Sequence, residues 1–466
     1  MTPEEFRRHG YALVDWVADY WSGLAEQRVT SAAPPGTAAA ALPAGPPADG
    51  DGFAGLLDDL DRIVVPNLTH WQHPRFFGYF PANTSGPSVL ADLVCAGLGV
   101  QGMLWSTGPA CTEVETVVLD WLADLLDLPA RFRSGGRGGG VIQDSASSAA
   151  LVATLAALYR AGGARWRRGG VDDRYTVYTS TQAHSSIEKA ARVAGLGDDR
   201  VRLVEVDDTF AMRPDALREA ICADVAAGAV PVLVVATVGT TSTTAVDPLA
   251  PIGEICREYG AWLHVDAAYA GSAAVCPELR WVHSGLEHAD SYCFDPHKWL
   301  LTGFDCDAFW VADRAELTEA LSVLPEFLRN AATESGAVID YRDWHVPLGR
   351  RFRALKLWFV MRWYGVEGLR AHIRGGVALA DRFADWVEAD ERFEIVAPHP
   401  FSLVCFRLRG PDEPNEELLR RVNATGQAYL THTRAGGRYV LRLAIGSPLT
   451  RESDVAAVWD LIRAQL

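Results

Sequence analysis

The pattern of hydrophobic residues changes along the chain, and in the N-terminal part these residues recur at the interval that is typical of an α-helix. Residues 4–28 carry aromatic and aliphatic side chains at helical intervals, which predicts a helix with an unusually wide aromatic stripe. So much apolar surface needs a partner, and either another subunit or the helix's own domain can cover it. Residues 31–52 are rich in proline, alanine and glycine and predict an extended connector, which a second helix over residues 53–68 follows.

Short apolar runs alternate with amphipathic segments of helical length from residue 85 onward. The runs YTVYTS, VRLVEV, PVLVVATVGTT and AWLHVDAAYAG are largely apolar, as in strands that are covered on both faces. This alternation predicts an α/β fold with a mostly parallel sheet between helices. Residues 322–347 show no period and predict a mobile lid, and residues beyond 350 predict long helices followed by a small α+β unit.

Polar side chains follow the predicted strands at the points where the strands end. Ligands of parallel sheets bind at this edge, so these side chains are candidates for one site. An acid there can hold a heteroaromatic nitrogen protonated, and a desolvated lysine can form a Schiff base. A turn of small residues at a helix start can hold a phosphate. The candidates are Ala146, Ser147, His184, Thr240, Thr241, Asp266 and Lys298.

Each of these residues also has an ordinary structural explanation. Asp266 can cap a turn, the Lys298 side chain can extend from an apolar segment to solvent, and a single histidine such as His184 is usually a structural group. Trp71, Tyr79 and Phe80 lie in a predicted aromatic loop that can line a pocket for a flat ligand or pack into the core. Spacing alone leaves these alternatives open.

Composition and charge narrow the class of protein. The 466 residues are 49% hydrophobic and 22% charged, which is typical of a globular enzyme with two or three structural units. A net charge of −16 argues against nucleic acid or an anionic membrane as a partner. The eight cysteines are scattered without a C-x-x-C pair and predict reduced, buried thiols. Without an apparent secretory signal or membrane span, we expect a cytoplasmic protein, and we predict no metal site.

Several motifs in order resemble the pyridoxal-phosphate-dependent aromatic-L-amino-acid decarboxylases, the group II decarboxylases. They are HPRFFGYFP, PACTEVE, QAHSSIEKA, HVDAAYAG, DPHKW and YRDWHVPLGRRFRALKLW, and the resemblance runs from about residue 6 to the C-terminus. It implies a transferase fold of type I with pyridoxal 5'-phosphate as cofactor. The implied parts are a helical dimerisation segment (1–84), a large domain with a seven-stranded sheet (85–356) and a small C-terminal α+β domain (357–466). It also implies a homodimer with shared active sites.

The resemblance also implies a role for individual residues. Lys298 would carry the cofactor, Asp266 would pair with its pyridine nitrogen and His184 would stack on its ring. Ala146 and Ser147 would hold the phosphate. The other residues implied near the cofactor are Thr241, Asp295 and His297. The implied substrate pocket consists of Trp71, Tyr79, Phe80, Pro81 and Ala82, with Gln101 and Met103 reaching in from the neighbouring subunit.

The implied reaction is the decarboxylation of tryptophan, phenylalanine, tyrosine or dopa to an arylalkylamine and CO2. One departure from the family pattern bears on the product. The family has a tyrosine in a P-x-Y-L run, whose hydroxyl is thought to protonate the carbon that loses CO2, and this chain has Phe327. Relatives with this replacement react with O2 as a co-substrate and release an aldehyde, ammonia and H2O2. An aldehyde synthase is therefore the alternative, with Phe327 as the deciding residue.

Two further departures affect the cofactor and substrate sites. Asp295 stands where the family more often has asparagine, and a carboxylate near a phosphate is unfavourable unless it is protonated, paired or turned away. Ala82 stands where animal members tend to have threonine, which leaves a preference for dopa unsupported.

Two other classes of function remain open. An aminotransferase or racemase would share the fold and the acid–lysine pair but would usually need an arginine to hold the substrate carboxylate, and we can place no such arginine. A dimeric scaffold without catalysis would bind no chromophore and would give no borohydride-fixed adduct on Lys298.

Overall fold

The structure, a computed structural model, describes residues 1–50, 52–80, 82–323 and 338–466. Pro81, Phe327 and most of the predicted lid over 322–347 lie outside the described residues. The chain divides into two compact units, of which the first comprises Met1–Pro81, Arg382–Glu394 and Phe406–Leu466, and the second Ala82–Asp381 and Ile395–Cys405. The predicted segments 1–84, 85–356 and 357–466 stay a prediction.

The N-terminal part of the first unit is helical, as predicted, except that the short helix Thr37–Ala41 lies within residues 31–52, for which the sequence predicted an extended connector. Thr2 begins the first helix through a capping box with Glu5, in which each side chain bonds the other's backbone N–H. The elements are α1 (Pro3–Gly23), α2 (Thr37–Ala41), α3 (Gly52–Asp59) and a two-residue strand, β1 (Phe76–Phe77).

The second unit is built on a seven-stranded sheet, which confirms the predicted mostly parallel α/β fold. Its strand order is β2-β8-β7-β6-β5-β3-β4. Only β8 runs against the other six, because it pairs antiparallel with both β2 and β7. The strands are β2 (Gly139–Gln143), β3 (Tyr175–Ser180), β4 (Val201–Val204), β5 (Val230–Thr237), β6 (Trp262–Asp266), β7 (Ser291–Phe294) and β8 (Asp307–Val311).

Helices pack against this sheet, and one of them, α6, does so through small side chains. The alanines at 149, 150, 153, 156 and 157 of α6 are buried in one core cluster with strand residues such as Val235 and Phe309. Alanine lets a helix lie close to a sheet of branched side chains. The helices are α4 (Gly86–Leu98), α5 (Pro109–Leu125), α6 (Ala146–Gly169), α7 (Ser186–Val193), α8 (Pro214–Ala226), α9 (Leu249–Tyr259), α10 (Pro296–Trp299), α11 (Arg314–Leu321) and α12 (Ala354–Glu388).

A small C-terminal α+β part completes the chain, as predicted. Its five-stranded sheet has the order β1-β11-β12-β10-β9, so the N-terminal strand β1 joins it. Gly436 and Gly437, both at positive φ, form the two-residue turn between β11 and β12. The elements are β9 (Phe393–Ile395), β10 (Leu403–Leu408), α13 (Glu413–Ala424), β11 (Tyr429–Ala435), β12 (Arg438–Ala444) and α14 (Glu452–Ala464).

The structure describes all the cysteines and most of the helical segments of the chain. None of the eight cysteines, all of which the structure describes, forms a disulfide, and seven are buried, with Cys222 as the exposed one. No helix within the described residues is both long enough and apolar enough to cross a bilayer.

Candidate active site

The carboxyl ends of β6 and β7 place an acid and a lysine on neighbouring strands of the second unit. The two strands are parallel, and Asp266, the last residue of β6, pairs with Cys293 in β7. Beyond β7 the chain passes through Asp295 into the short helix α10, which carries Lys298. The parallel order of the sheet therefore brings Asp266 and Lys298 to the same edge, as the sequence predicts.

The Lys298 amine lies between carboxylates. Its Nζ is 2.8 Å from Asp295 Oδ2, and its side chain is 27% exposed whereas that of Asp295 is 2% exposed. Burial disfavours the ammonium, but the negative charges of Asp295 and Asp266 outweigh burial and raise the pKa of Lys298. In return, Lys298 and His297 outweigh the burial of Asp295 and lower the pKa of its carboxyl.

Asp266 is a buried acid with a fixed orientation. Only 4% of the residue is exposed, and its Oδ1 accepts a hydrogen bond from the Ala268 N–H at 3.0 Å. Burial raises the pKa of Asp266, while the nearby Lys298 ammonium favours the anion. A cation, or a protonated ring nitrogen, next to this carboxylate would be strongly stabilised.

His184 follows β3 and is held by the start of the next helix. Its Nδ1 accepts from the Ser186 N–H at 3.2 Å and lies 2.9 Å from the Ser186 hydroxyl. Nδ1 is therefore the unprotonated nitrogen of the neutral ring. Desolvation lowers the pKa of His184, and the Asp266 charge opposes this effect. Ser185 and Glu188 match the sequence pattern of a capping box, but Ser185 makes no side-chain capping bond, and the His184 imidazole accepts the Ser186 N–H instead.

The turn between β2 and α6 presents the start of a helix to the same edge. Ala146 is buried and its N–H donates to Asp295 Oδ1 at 3.2 Å, whereas Ser147 is exposed. Ser145 makes no side-chain capping bond to the first turn. A first turn that lacks such a cap is a suitable place for an anion.

The chain is similar to proteins of one enzyme family along almost its whole length. The model of the pyridoxal-dependent decarboxylase conserved domain matches residues 35–409. This chain belongs to the pyridoxal-dependent decarboxylase family. It is accordingly an enzyme, a carboxy-lyase with pyridoxal 5'-phosphate as cofactor and a transferase fold of type I.

Relatives of known sequence and structure cover the chain from end to end. The phenylacetaldehyde synthase of Arabidopsis thaliana is 46% identical over 476 residues, which cover 100% of this chain and 96% of the relative. The aromatic-L-amino-acid decarboxylase of Rattus norvegicus is 45% identical over 471 residues, covering 99% and 98%. The crystal structure of Oryza sativa TDC with PLP and tryptamine superposes with a TM-score of 0.96 at 43% identity and covers 100% of this chain and 98% of that one.

The groups at this edge fit the chemistry of pyridoxal 5'-phosphate. The cofactor presents an aldehyde, a pyridine nitrogen and a phosphate, and the edge offers an amine on Lys298, a buried acid at Asp266 and the first turn of α6. One contact departs from the family expectation for a phosphate site. The Ala146 N–H is already bonded to Asp295.

His297 and the segment around Ala82 lie against each other in this decarboxylase. His297 is 3% exposed, its Nδ1 accepts from the Cys306 N–H at 3.0 Å, and its Nε2 is 3.6 Å from Asp295 Oδ2. Burial lowers the pKa of His297. Asn83, next to the half-buried Ala82, donates its N–H to the His297 carbonyl at 2.6 Å. The sequence motif gave no reason to expect this backbone link.

Three further residues expected near the site lie in loops of the second unit. Thr241 follows β5 and is exposed. Gln101 is also exposed, and its Oε1 accepts from the Arg350 N–H at 3.0 Å. Met103 is half-buried, and its carbonyl accepts from the Arg342 N–H at 3.0 Å.

The aromatic residues expected in the substrate pocket belong to the first unit, where they form a cluster. The rings of Trp71 and Tyr79 stack at 5.5 Å, and the Tyr79 hydroxyl is 3.4 Å from that of Tyr429. Phe80 is 9% exposed and lies under the Arg442 guanidinium at 5.3 Å. Pro81 lies outside the described residues. Tyr429 was not expected here, because its position in β11 is distant in sequence from the aromatic loop.

Asp307 is a member of the charged group that the sequence did not suggest. It is the first residue of β8 and is 0% exposed, and the antiparallel register places it next to Asp295, one position beyond the Phe294–Ala308 pair. Within its run, CDAFWVAD, the acid resembles an ordinary strand-start residue. Only its position opposite Asp295 distinguishes it.

Proposed function

We propose that this decarboxylase converts an aromatic L-amino acid, namely tryptophan, phenylalanine, tyrosine or dopa, to the arylalkylamine and CO2. The observation that carries the proposal is the grouping of Lys298, Asp266 and His184 at the carboxyl ends of β7, β6 and β3. Two relatives that match this chain over almost its whole length have names that refer to aromatic compounds, and this supports an aromatic substrate.

The residues at the strand ends would divide the work with the cofactor. When bound, pyridoxal 5'-phosphate supplies a sink for the electrons that remain on the substrate's α-carbon when the carboxylate leaves as CO2. We propose that Lys298 carries the cofactor and that Asp266 keeps a proton on its pyridine nitrogen. His184 would support the ring from one face. The buried position of Asp266 favours this role, because a charge-assisted hydrogen bond is stronger away from water.

The phosphate end would be held by the start of α6. We propose Ala146 and Ser147 as its main contacts and Thr241 as a neighbour. His297 and Asp295 would lie close to it. The bond from the Ala146 N–H to Asp295 means that the acid and the phosphate compete for the same donor.

The substrate side chain would be bound by aromatic and apolar groups. We propose Trp71, Tyr79 and Phe80 for this pocket because they present ring faces in one cluster. The remaining proposed members are Pro81, Ala82, Gln101 and Met103.

A homodimer in the cytoplasm is the proposed form of the protein. The helix α1, which is described throughout, buries none of its side chains, and Phe6 and Tyr11 are 56% and 67% exposed. In the second unit, α4 exposes the apolar side chains of Leu90 and Leu98 by 50% and 61%. Apolar surface of this extent favours a subunit contact. Sedimentation equilibrium should give twice the chain mass, and a monomeric mass would refute the proposal.

An aldehyde synthase is the second candidate, and Phe327 is the specific reason for it. A phenyl ring cannot donate the proton that the family's tyrosine hydroxyl is thought to supply. O2 would then be a co-substrate, and the products would be an aromatic acetaldehyde, CO2, ammonia and H2O2.

One experiment separates these functions. The purified protein is incubated in air with each of the four aromatic L-amino acids, and amine, aldehyde, ammonia and peroxide are quantified. Amine without peroxide supports the decarboxylase, and aldehyde with equimolar peroxide supports the synthase. In a parallel incubation with an added 2-keto acid, transfer of the amino group to that acid would support an aminotransferase instead.

The matched control is Lys298→Ala. If Lys298 carries the cofactor, borohydride will fix a chromophore to the wild-type chain and not to the variant. A wild-type protein that binds no chromophore would favour a non-catalytic scaffold and would refute both enzymatic proposals.

A further inference from the structure

Asp295 and Asp307 form a pair of buried carboxyls next to Lys298. The antiparallel register of β7 and β8 pairs Phe294 with Ala308, so the two acids occupy the next position of the same ladder. They are 2% and 0% exposed, and burial together with the negative charge of Asp295 raises the pKa of the Asp307 carboxyl. Neither acid reaches bulk water.

Two carboxyls that lie side by side away from water can bond each other only if one of them carries a proton, because an ionised carboxylate only accepts. The surroundings identify which one. Asp295 receives the Ala146 N–H at 3.2 Å and the Lys298 ammonium at 2.8 Å, and both stabilise an anion. Within the described part of the chain, no N–H or O–H donor reaches either oxygen of Asp307. The proton therefore belongs to Asp307.

We propose that Asp307 is a positioning residue which stays protonated, donates its proton to Asp295, and so limits how strongly Asp295 holds positive charge on the Lys298 nitrogen. The proposal rests on the role proposed above for Lys298. A carboxylate that accepts a third hydrogen bond is a weaker base, so it stabilises a neighbouring cation less. Lys298 must give up its proton to react with an aldehyde, and a weaker base at Asp295 makes this easier.

The charged groups around the pair agree with a neutral Asp307. Burial and the negative charges of Asp295 and Asp266 raise the pKa of Asp307, and Lys298 is the cation that opposes them. Asp295 faces His297 as well, and Cys293 lies on the same strand. His184 also lies near these acids, because the negative charges of Asp266 and Asp295 act to raise its pKa.

A neutral Asp307 also accounts for an acid at position 295. Two ionised carboxylates here would repel both each other and the phosphate of the cofactor. One shared proton leaves a single negative charge, which the Lys298 ammonium at 2.8 Å balances. The second acid thus makes the departure from the family's asparagine tolerable.

Infrared spectroscopy of the full-length holoenzyme tests where the proton lies. At about pH 8.5 exposed acids are ionised, and so is most of Asp247, whose pKa burial raises to about 7. The wild-type spectrum should show the carbonyl band of a protonated buried acid. Asp307→Asn should lose this band, whereas Asp295→Asn should keep it.

This measurement does not depend on what Lys298 does. A wild-type protein without the band, or a band that persists in Asp307→Asn, would overturn the proposal. Loss of the band in Asp295→Asn would also overturn it, because the proton would then belong to Asp295. Failure of the proposed function would instead appear as a protein that binds no cofactor while the band is present.

The visible absorption of the bound cofactor against pH tests the effect on Lys298. Asp307→Val removes the donor, so Asp295 becomes more basic and the pH midpoint should rise by about one unit. Asp307→Asn keeps an N–H donor at the same place, and its midpoint should stay near that of the wild type. Equal shifts in both variants, as from a merely structural disturbance, or no shift in either, would refute the positioning role.

Discussion

Removal of the Glu115 carboxylate should destabilise this protein more than any loss of a surface ion pair. Glu115 and Arg350 are both about 1% exposed and are joined by two hydrogen bonds of 2.9 and 2.6 Å. Both also bond Ile142, because Glu115 accepts its N–H at 2.8 Å and Arg350 donates to its carbonyl at 2.9 Å. Since β2 is an edge strand, this pair satisfies the backbone N–H and carbonyl of Ile142 in the strand that leads into α6.

The size of the effect follows from these contacts. Glu115→Ala leaves a buried guanidinium without its carboxylate, which typically costs about 3–5 kcal/mol. It also leaves the Ile142 N–H without its acceptor, a smaller penalty of about 1–3 kcal/mol. Because the total stability of a protein is about 5–15 kcal/mol, the variant should lose a large part of it. Arg350→Met should be costly for the same reason.

Urea unfolding of the holoenzyme, followed by tryptophan fluorescence, measures the loss. In the double variant Glu115→Ala with Arg350→Met, neither charge is left unpaired, so its loss should be smaller than the sum of the two single losses by more than about 1 kcal/mol. The control is Glu278→Ala, which breaks a half-exposed pair with Arg374 at 2.6 Å and should leave the midpoint near that of the wild type. Additive single losses, or a Glu278 effect as large as that of Glu115, would refute the reasoning.

Three further outcomes are expected. Asp266→Asn keeps an acceptor for the Ala268 N–H but loses the buried negative charge. With saturating cofactor, the rate of decarboxylation should therefore fall about 100-fold or more, and an unchanged rate would contradict the role proposed for Asp266. Phe327→Tyr should raise the ratio of amine to aldehyde in products formed in air, and a constant ratio would show that another residue decides the product. Burial lowers the pKa of His264 to about 3. As the pH falls below about 6.5, only the unfolded chain binds this proton, so the protein loses stability until the pH reaches the pKa of the folded state. At pH 5 the loss of stability amounts to about 2 kcal/mol. The urea midpoint of His264→Gln should therefore fall less on acidification than that of the wild type, and equal falls in the two proteins would contradict this reasoning.

The large sheet could be predicted because most of its strands are short, largely apolar runs, and this pattern can be recognised without knowledge of the neighbouring strands. Strand β3, for example, has all six residues buried and was predicted with its observed bounds. By contrast, β11 mixes buried and exposed positions without a regular period and carries polar residues, so its sequence does not distinguish it from a loop. The two residues of β1 are too few for any period to be visible.

The site was predictable to the extent that it depends on strand ends. Asp266 and Lys298 follow strands that run in the same direction, so the order of elements alone brings them together. The support of His184 was not predictable in detail, because Ser185 matches a capping pattern and only the folded turn shows that the Ser186 N–H bonds the imidazole.

The reversed direction of β8 explains why Asp307 escaped prediction and why it matters. In a parallel strand the first residue lies at the edge opposite to the ligand site, so an acid at the start of β8 would ordinarily be read as remote. Because β8 runs antiparallel to β7, its start meets the end of β7, and Asp307 comes to lie beside Asp295. A single reversed strand therefore adds a third buried acid to Asp266 and Asp295, against one lysine. Three ionised carboxylates around one lysine would repel one another, and this crowding is the reason for the proposed proton on Asp307.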